Sequence, residues 1–83
     1  MIMLPNWVSQ QHNNMAEFPI RTPVSEGRNR LKDAGFTESG VNAGARAELW
    51  MTRTKQPVLV AYIGPRFGDD FSTESLENAL MQE

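Results

Sequence analysis

The stretch that decides the fold is Arg46-Ala-Glu-Leu-Trp-Met-Thr-Arg53 with Pro57-Val-Leu-Val-Ala-Tyr-Ile63, joined by the polar triplet Thr54-Lys-Gln56. Two apolar-rich extended runs on either side of a short polar segment predict a β-hairpin. The second run is apolar without interruption from Val58 onward, which is typical of a strand covered on both faces. We therefore expect other parts of the chain to pack against each face of the hairpin.

Helices are predicted on both sides of the hairpin in the sequence. The first runs from Pro23 to Ala34, with Thr22 as its N-cap and Gly35 at its C-terminal end. The second begins after Ser72, a favoured N-cap residue, and its apolar residues recur at helical spacing. Both segments therefore have a start signal and an apolar face.

These segments together predict an α+β domain over residues 21–83. A short, weak strand between residues 37 and 44 joins the hairpin at 46–63, giving a small antiparallel sheet of three strands with the hairpin as its centre. The element order is α-β-β-β-α, with both helices on one face. Residues 1–20 are predicted to be an N-terminal arm that packs over the sheet or remains apart from it.

The two-residue period of a strand divides the first hairpin strand into two faces. Ala47, Leu49 and Met51 lie on one face, which we expect the helices to cover. The other face then carries Arg46, Glu48, Trp50 and Thr52, so Trp50 points away from the helices. That second face is either covered by the N-terminal arm, completing an ordinary core, or is a docking surface.

Length and composition limit the class of protein. With 83 residues there is room for one domain, and the absence of cysteine excludes disulfides and thiolate metal sites. The apolar start Met1-Ile-Met-Leu-Pro-Asn-Trp-Val8 has no preceding basic residue and contains Pro5, so it resembles neither a signal peptide nor a membrane span. We expect a soluble, cytoplasmic protein that does not contact membranes.

The charges are unevenly distributed along the chain. The net charge of −2 weighs against a dedicated nucleic-acid binder, and every Lys and Arg lies between Arg21 and Arg66. The last segment is acidic and contains Asp69, Asp70, Glu74, Glu77 and Glu83. This cluster either favours the N-terminal end of the last helix electrostatically or forms an acidic surface for a basic partner.

Several short motifs suggest a family. Leu31-Lys-Asp-Ala-Gly-Phe36 ends the first helix, Gly44 precedes the second strand, and Gly64-Pro65 follows the apolar third strand. In this layout residues 24–81 resemble the small HicA-like messenger-RNA interferase toxins, whose fold is related to double-stranded-RNA-binding domains. The family's catalytic histidine after that glycine is missing, because Ala45-Arg-Ala47 follows Gly44. The resemblance therefore implies a catalytically silent relative.

Enzymatic sites are not indicated by the sequence. His12, the sole histidine, lies in a polar segment and has no evident partner for nucleophilic catalysis. The acidic residues of the last segment lack the alternating spacing and central glycine of a calcium loop, and Gly64-x-x-x-Gly68 lacks the ending of a phosphate loop. We predict no enzymatic activity, no metal and no cofactor.

Two functions from different classes remain. The first is a non-enzymatic protein-binding module, an inhibitor or adaptor of the kind that phages and mobile elements carry, which docks through its aromatic sheet face or its acidic last helix. Its predicted binding residues are Trp50, Tyr62, Arg46, Arg53, Asp69, Asp70, Glu74 and Glu77. The second is an RNA- or DNA-binding module that uses Arg28, Arg30, Lys32 and Lys55. A homodimer that pairs exposed sheet faces is a further alternative.

Overall fold

The fold is an antiparallel sheet with two helices packed on one face. The computed structural model describes residues 20–82. In chain order the elements are β1 Arg21–Pro23, α1 Val24–Asp33, β2 Thr37–Asn42, β3 Ala47–Met51, β4 Pro57–Ile63, β5 Asp70–Ser72 and α2 Thr73–Leu80. The strands lie in the order β1-β5-β4-β3-β2. The α+β class is confirmed, but the sheet has five strands and not the predicted three. Apart from Ile20, the predicted N-terminal arm lies outside the described residues.

The two unpredicted strands, β1 and β5, have three residues each and pair with each other. Thr22 stands opposite Phe71, and the Thr22 hydroxyl lies 2.6 Å from that of Thr73. In three residues an alternation of apolar and polar side chains is not recognisable from the sequence. These segments are strands because they pair with distant parts of the chain. Consequently α1 begins at Val24, and Thr22 is a strand residue where the sequence predicts an N-cap.

The predicted hairpin is formed by β3 and β4, which pair with Leu49 opposite Leu59. Thr52 closes the turn: its backbone N–H donates to the Gln56 carbonyl at 2.9 Å, and its hydroxyl accepts from the Gln56 N–H at 3.1 Å. The predicted short strand is β2, which pairs with the other side of β3. Thus β3 and β4 occupy the middle of the sheet.

Helix α1 lies very close to the sheet because Gly27 has no side chain. A Cβ added to Gly27 would lie 2.8 Å from Cε2 of Phe71, too close for any real contact. Helix α2 begins as predicted, with the Ser72 hydroxyl accepting from the Ser75 N–H at 3.3 Å. Gly35 ends α1 with a φ of +93°, a conformation that glycine adopts without strain.

The core lies between the helices and the sheet. Its fully buried apolar side chains come from α1, β3, β4, β5 and α2: Leu31, Trp50, Val60, Phe71 and Leu76. The predicted orientation of Trp50 is therefore wrong, because Trp50 faces the helices. Alternation along β3 then places Glu48 on the helix side and turns Leu49 and Met51 to the opposite face.

Candidate functional site

The helix side of the sheet contains a buried carboxylate, Glu48. Its side chain is only 1% exposed, and Arg28 of α1 reaches it from the adjacent helix. Arg28 Nε donates to both carboxylate oxygens, at 3.0 and 3.3 Å, and a second guanidinium nitrogen bonds to one of them. This two-nitrogen contact joins α1 to the centre of the sheet through a charge-assisted pair.

Two aromatic side chains complete the hydrogen bonding of Glu48. Trp50 Nε1 donates to one oxygen at 3.0 Å, and the Tyr62 hydroxyl donates to the other at 2.8 Å. Burial alone would raise the pKa of Glu48, but the hydrogen bonds from Arg28, Tyr62 and Trp50 outweigh it and hold the pKa below its ordinary value. Burial and the bond to Glu48 raise the pKa of Tyr62 to about 12. We call Arg28, Glu48, Trp50 and Tyr62 the Glu48 network.

The Glu48 network is suited to holding the fold together. Both oxygens of Glu48 already accept hydrogen bonds, and the buried side chain offers no lone pair to a substrate. A general base must reach the proton that it removes, and Glu48 does not have that access. The network therefore fixes α1 against β3 and β4, and it accounts for a charged residue in the core face of a strand.

One edge of this network reaches the surface through Phe67. The Phe67 ring is 4.9 Å from the Tyr62 ring in an edge-to-face arrangement, and the Arg46 guanidinium lies 5.4 Å from the Phe67 ring centre. Arg46 also donates to the Gly64 carbonyl at 3.3 Å. Arg46 and Tyr62, both predicted to bind a partner, thus meet at Phe67, but Tyr62 is buried beneath it.

On the opposite side of the sheet, the two hairpin strands β3 and β4 are aliphatic. Leu49 and Leu59 stand directly opposite each other on neighbouring strands, and the Leu59 residue is 48% exposed. The residues of β3 and β4 that share this orientation and are at least partly exposed are Leu49, Met51, Pro57, Leu59, Ala61 and Ile63, which we call the aliphatic face. Within residues 20–82 both helices pack on the other side of the sheet, so neither covers the aliphatic face.

The predicted acidic residues have different surroundings. Glu77 pairs with Arg30 of α1, with 3.2 Å between the charged atoms, whereas Glu74 is exposed in the first turn of α2. Asp69 uses its backbone carbonyl to accept from the Val24 N–H. The remaining predicted site residues are dispersed: Asp70 in β5, Lys32 on α1, Lys55 in the hairpin turn, and Arg53 with its aliphatic stem close to Gly35.

Sequence reasoning missed the two most informative groups, the Glu48 network and the aliphatic face. From the sequence alone, a glutamate at position 48 is expected to face solvent. Its burial is energetically acceptable because Arg28, which is distant in the sequence, pairs with its carboxylate. A usable signal was the size of Trp50, since a large aromatic in a small domain is a strong candidate for the core.

Comparisons with known proteins identify no relative for this chain. No protein-family model matches it, and neither a curated protein nor a solved structure matches it. The resemblance to HicA-like toxins therefore stays a prediction. In the part of the chain that the structure describes, no helix is long and apolar enough to cross a membrane, and no group of three or more His, Cys, Asp or Glu side chains is placed to hold a metal ion.

Proposed function

We propose that this chain is a protein-binding module, acting as an inhibitor or adaptor, and that the aliphatic face is its binding surface. The observation that carries the proposal is the half-exposed Leu59, paired with the partly exposed Leu49, at the centre of a sheet face that neither helix covers. Contiguous aliphatic surface of this kind marks interaction sites more often than isolated exposed residues do.

The proposed binding surface does not include the aromatic residues predicted from the sequence. Trp50 is fully buried and Tyr62 nearly so, so neither is able to insert into a partner without unfolding the core. The aliphatic face needs no such rearrangement, since Leu59 is already half exposed. The support for a protein partner now comes from aliphatic surface and not from aromatic anchors.

A nucleic-acid partner has less support. Arg28 is engaged by Glu48 and lies 3.8 Å from Glu38, and Arg30 pairs with Glu77. A phosphate would have to compete with these carboxylates for the same guanidinium groups. Binding to RNA or DNA that weakens steeply with salt would nevertheless be recognised in the experiment below, because captured nucleic acid is measured in parallel.

The test is affinity capture from host lysate, with and without nuclease, using the wild-type chain and two variants. Leu49→Glu places a charge in the aliphatic face, whereas Val41→Glu places one at an exposed apolar residue outside it and is the matched control. We expect a protein that the wild type and Val41→Glu retain after nuclease treatment and that Leu49→Glu loses.

Equal recovery by Leu49→Glu and the wild type would contradict the proposed binding surface. Recovery of nucleic acid alone would support the nucleic-acid module instead. If the wild type sedimented as a dimer and Leu49→Glu as a monomer, a second copy of the chain would be the partner of this face. Circular dichroism of both variants checks that each one folds.

A further inference from the structure

The central strand β4 lacks a strand neighbour along most of one edge. β5 pairs with β4 only through Phe71 opposite Tyr62 and Asp70 opposite Ile63. After Ser72 the chain turns into α2, so residues 57–61 of β4 have a strand on the β3 side only. A strand position next to the middle of the sheet is therefore vacant among the described residues.

The register shows which backbone groups point into this vacant position. The Tyr62 N–H donates to the Arg46 carbonyl of the β3 side, and the Ala61 N–H donates the other way, to the Ser75 hydroxyl at 2.8 Å. Because successive residues of a strand direct their backbone groups to opposite sides, Leu59 points the same way as Ala61. No residue in 20–82 accepts a hydrogen bond from the Leu59 N–H.

The vacant position is a cleft bounded by β4 and the exposed flank of α2. Its volume is about 450 Å³. The flank of α2 contributes polar side chains, and Glu74 is the charged one among the residues that line the cleft. A groove between a strand edge and a helix is the arrangement in which extended peptides add a strand to a sheet.

We propose that this cleft binds a short extended segment of a partner protein, which adds a strand to the edge of β4. The Leu59 N–H and carbonyl would each pair with the segment, and the Pro57 carbonyl would accept a further hydrogen bond. Pro57 has no N–H and the Ala61 N–H is already bonded, so the pairing is confined to a few residues centred on Leu59.

The two sides of the cleft specify the chemistry of the segment. In an added strand, residues opposite Leu59 point to the aliphatic face, and their neighbours point to α2. The first set would be apolar and would extend the aliphatic face. The second set would be polar and would include a Lys or Arg near Glu74. The expected partner is thus an extended segment in which apolar residues alternate with polar or basic ones.

This inference rests on the proposed function and names the partner and its binding mode. It is tested with random peptides of about twelve residues, displayed on phage and selected against the full chain. Selected peptides are then synthesised, and their affinities are measured for four proteins: the wild type, Leu59→Ala, Leu59→Pro and Leu49→Glu.

Leu59→Ala and Leu59→Pro form the decisive pair. Both lose the leucine side chain, but only the proline variant also loses the backbone N–H that points into the cleft. We expect peptides with the alternating pattern, bound about tenfold more weakly by Leu59→Pro than by Leu59→Ala. In amide hydrogen exchange, the peptide should slow the exchange of the Leu59 N–H in the wild type.

The proposal would be overturned if the selected peptides bound Leu59→Ala and Leu59→Pro with equal affinity. It would also be overturned if every selected peptide bound Leu59→Pro as tightly as the wild type. A Leu59 amide that already exchanges slowly without peptide would also overturn it, because the chain itself or a second copy would then occupy the edge. If Leu59→Pro does not fold, a series of peptides is used instead, each with a single N-methyl group at a different backbone nitrogen. In an added strand only every second N–H points to β4, so the affinity should fall when alternate positions are methylated. An equal loss of affinity at every position would contradict strand addition.

The variant Leu49→Glu separates this proposal from the proposed function. Peptides lost by Leu49→Glu but retained equally by the two Leu59 variants would leave the aliphatic face as the binding surface and refute strand addition. Peptides lost only by Leu59→Pro would support strand addition at the β4 edge and limit the binding surface to the part of the aliphatic face beside Leu59.

Discussion

The two sides of the sheet differ in the chemistry and the exposure of their side chains. The helix side contains Trp50, Tyr62 and Phe71 and a buried carboxylate, Glu48, both oxygens of which accept hydrogen bonds. On the other side β3 and β4 are aliphatic, Leu59 is half exposed, and residues 20–82 form no comparable network around a buried charge. The side that contains the Glu48 network therefore stabilises the fold, and the side that contains the aliphatic face is the candidate for binding.

The difference follows from what each side chain gains on burial. The indole of Trp50 buries a large apolar area and keeps its N–H satisfied through Glu48, so it stabilises the core strongly. Leu49 and Leu59 are smaller and retain exposure on the open side, so a partner has apolar area left to bury there.

The largest expected effect contrasts these two sides directly. Trp50→Ala removes a fully buried aromatic and should cost about 3–5 kcal/mol, close to the whole stability of a domain of this size. Leu59→Ala, on the open side, should cost about 1 kcal/mol or less. Urea denaturation followed by circular dichroism measures both. Similar losses for the two variants would contradict the assignment of Trp50 to the core side.

The next effect concerns the ion pair. Arg28→Met leaves Glu48 buried without its cation and should cost about 2–3 kcal/mol at neutral pH, less than for a fully buried pair because Arg28 is partly exposed. Adding Glu48→Gln should recover part of the loss, since the uncharged amide leaves no unpaired charge: its oxygen still accepts from Trp50 Nε1, and its NH2 group is placed to donate to the Tyr62 hydroxyl oxygen. A double variant less stable than Arg28→Met would show that the charge on Glu48 is not the source of the loss.

The same pair predicts a pH dependence of definite sign. In the wild type the pKa of Glu48 is lowered by folding, so its contribution to stability is present above the unfolded pKa and is lost as the pH falls through the folded pKa. Without Arg28, burial should instead raise the pKa of Glu48, and protonation then relieves the buried charge. The stability difference between the wild type and Arg28→Met should therefore narrow as the pH falls below about 5. A difference independent of pH would contradict this account.

The sequence predicted those parts of the fold whose signals are local. The hairpin, the short strand β2 and the start of α2 at Ser72 each have a pattern or a cap that is readable within a few residues. The strands β1 and β5 do not, because their three residues become strands only through distant partners. Five strands could therefore not be counted from local patterns.

The candidate site was harder to predict than the fold because alternation alone does not say which face is covered. A two-residue period separated Leu49 from Trp50 correctly, but polarity suggested that the face with Glu48 was exposed. Only the contact with Arg28, twenty residues earlier in the chain, makes that glutamate a core residue. The vacant edge of β4 was equally hidden, since it depends on where β5 ends in space.

The smallest expected effect tests whether Tyr62 belongs to the covered side. It is the sole tyrosine in the sequence, so ultraviolet absorbance during an alkaline titration reports its ionisation alone. Burial and the hydrogen bond to Glu48 raise its pKa to about 12, so ionisation of the folded protein should be centred there, against about 10 in urea. Because the pKa is raised by folding, the contribution of Tyr62 to stability is present below pH ~10 and lost as the pH rises towards the folded pKa. Tyr62→Phe should cost only about 1 kcal/mol at neutral pH. A folded midpoint near 10, with circular dichroism still native, would mean that Tyr62 is open to solvent, and the contrast between a covered network and an open aliphatic face would fail.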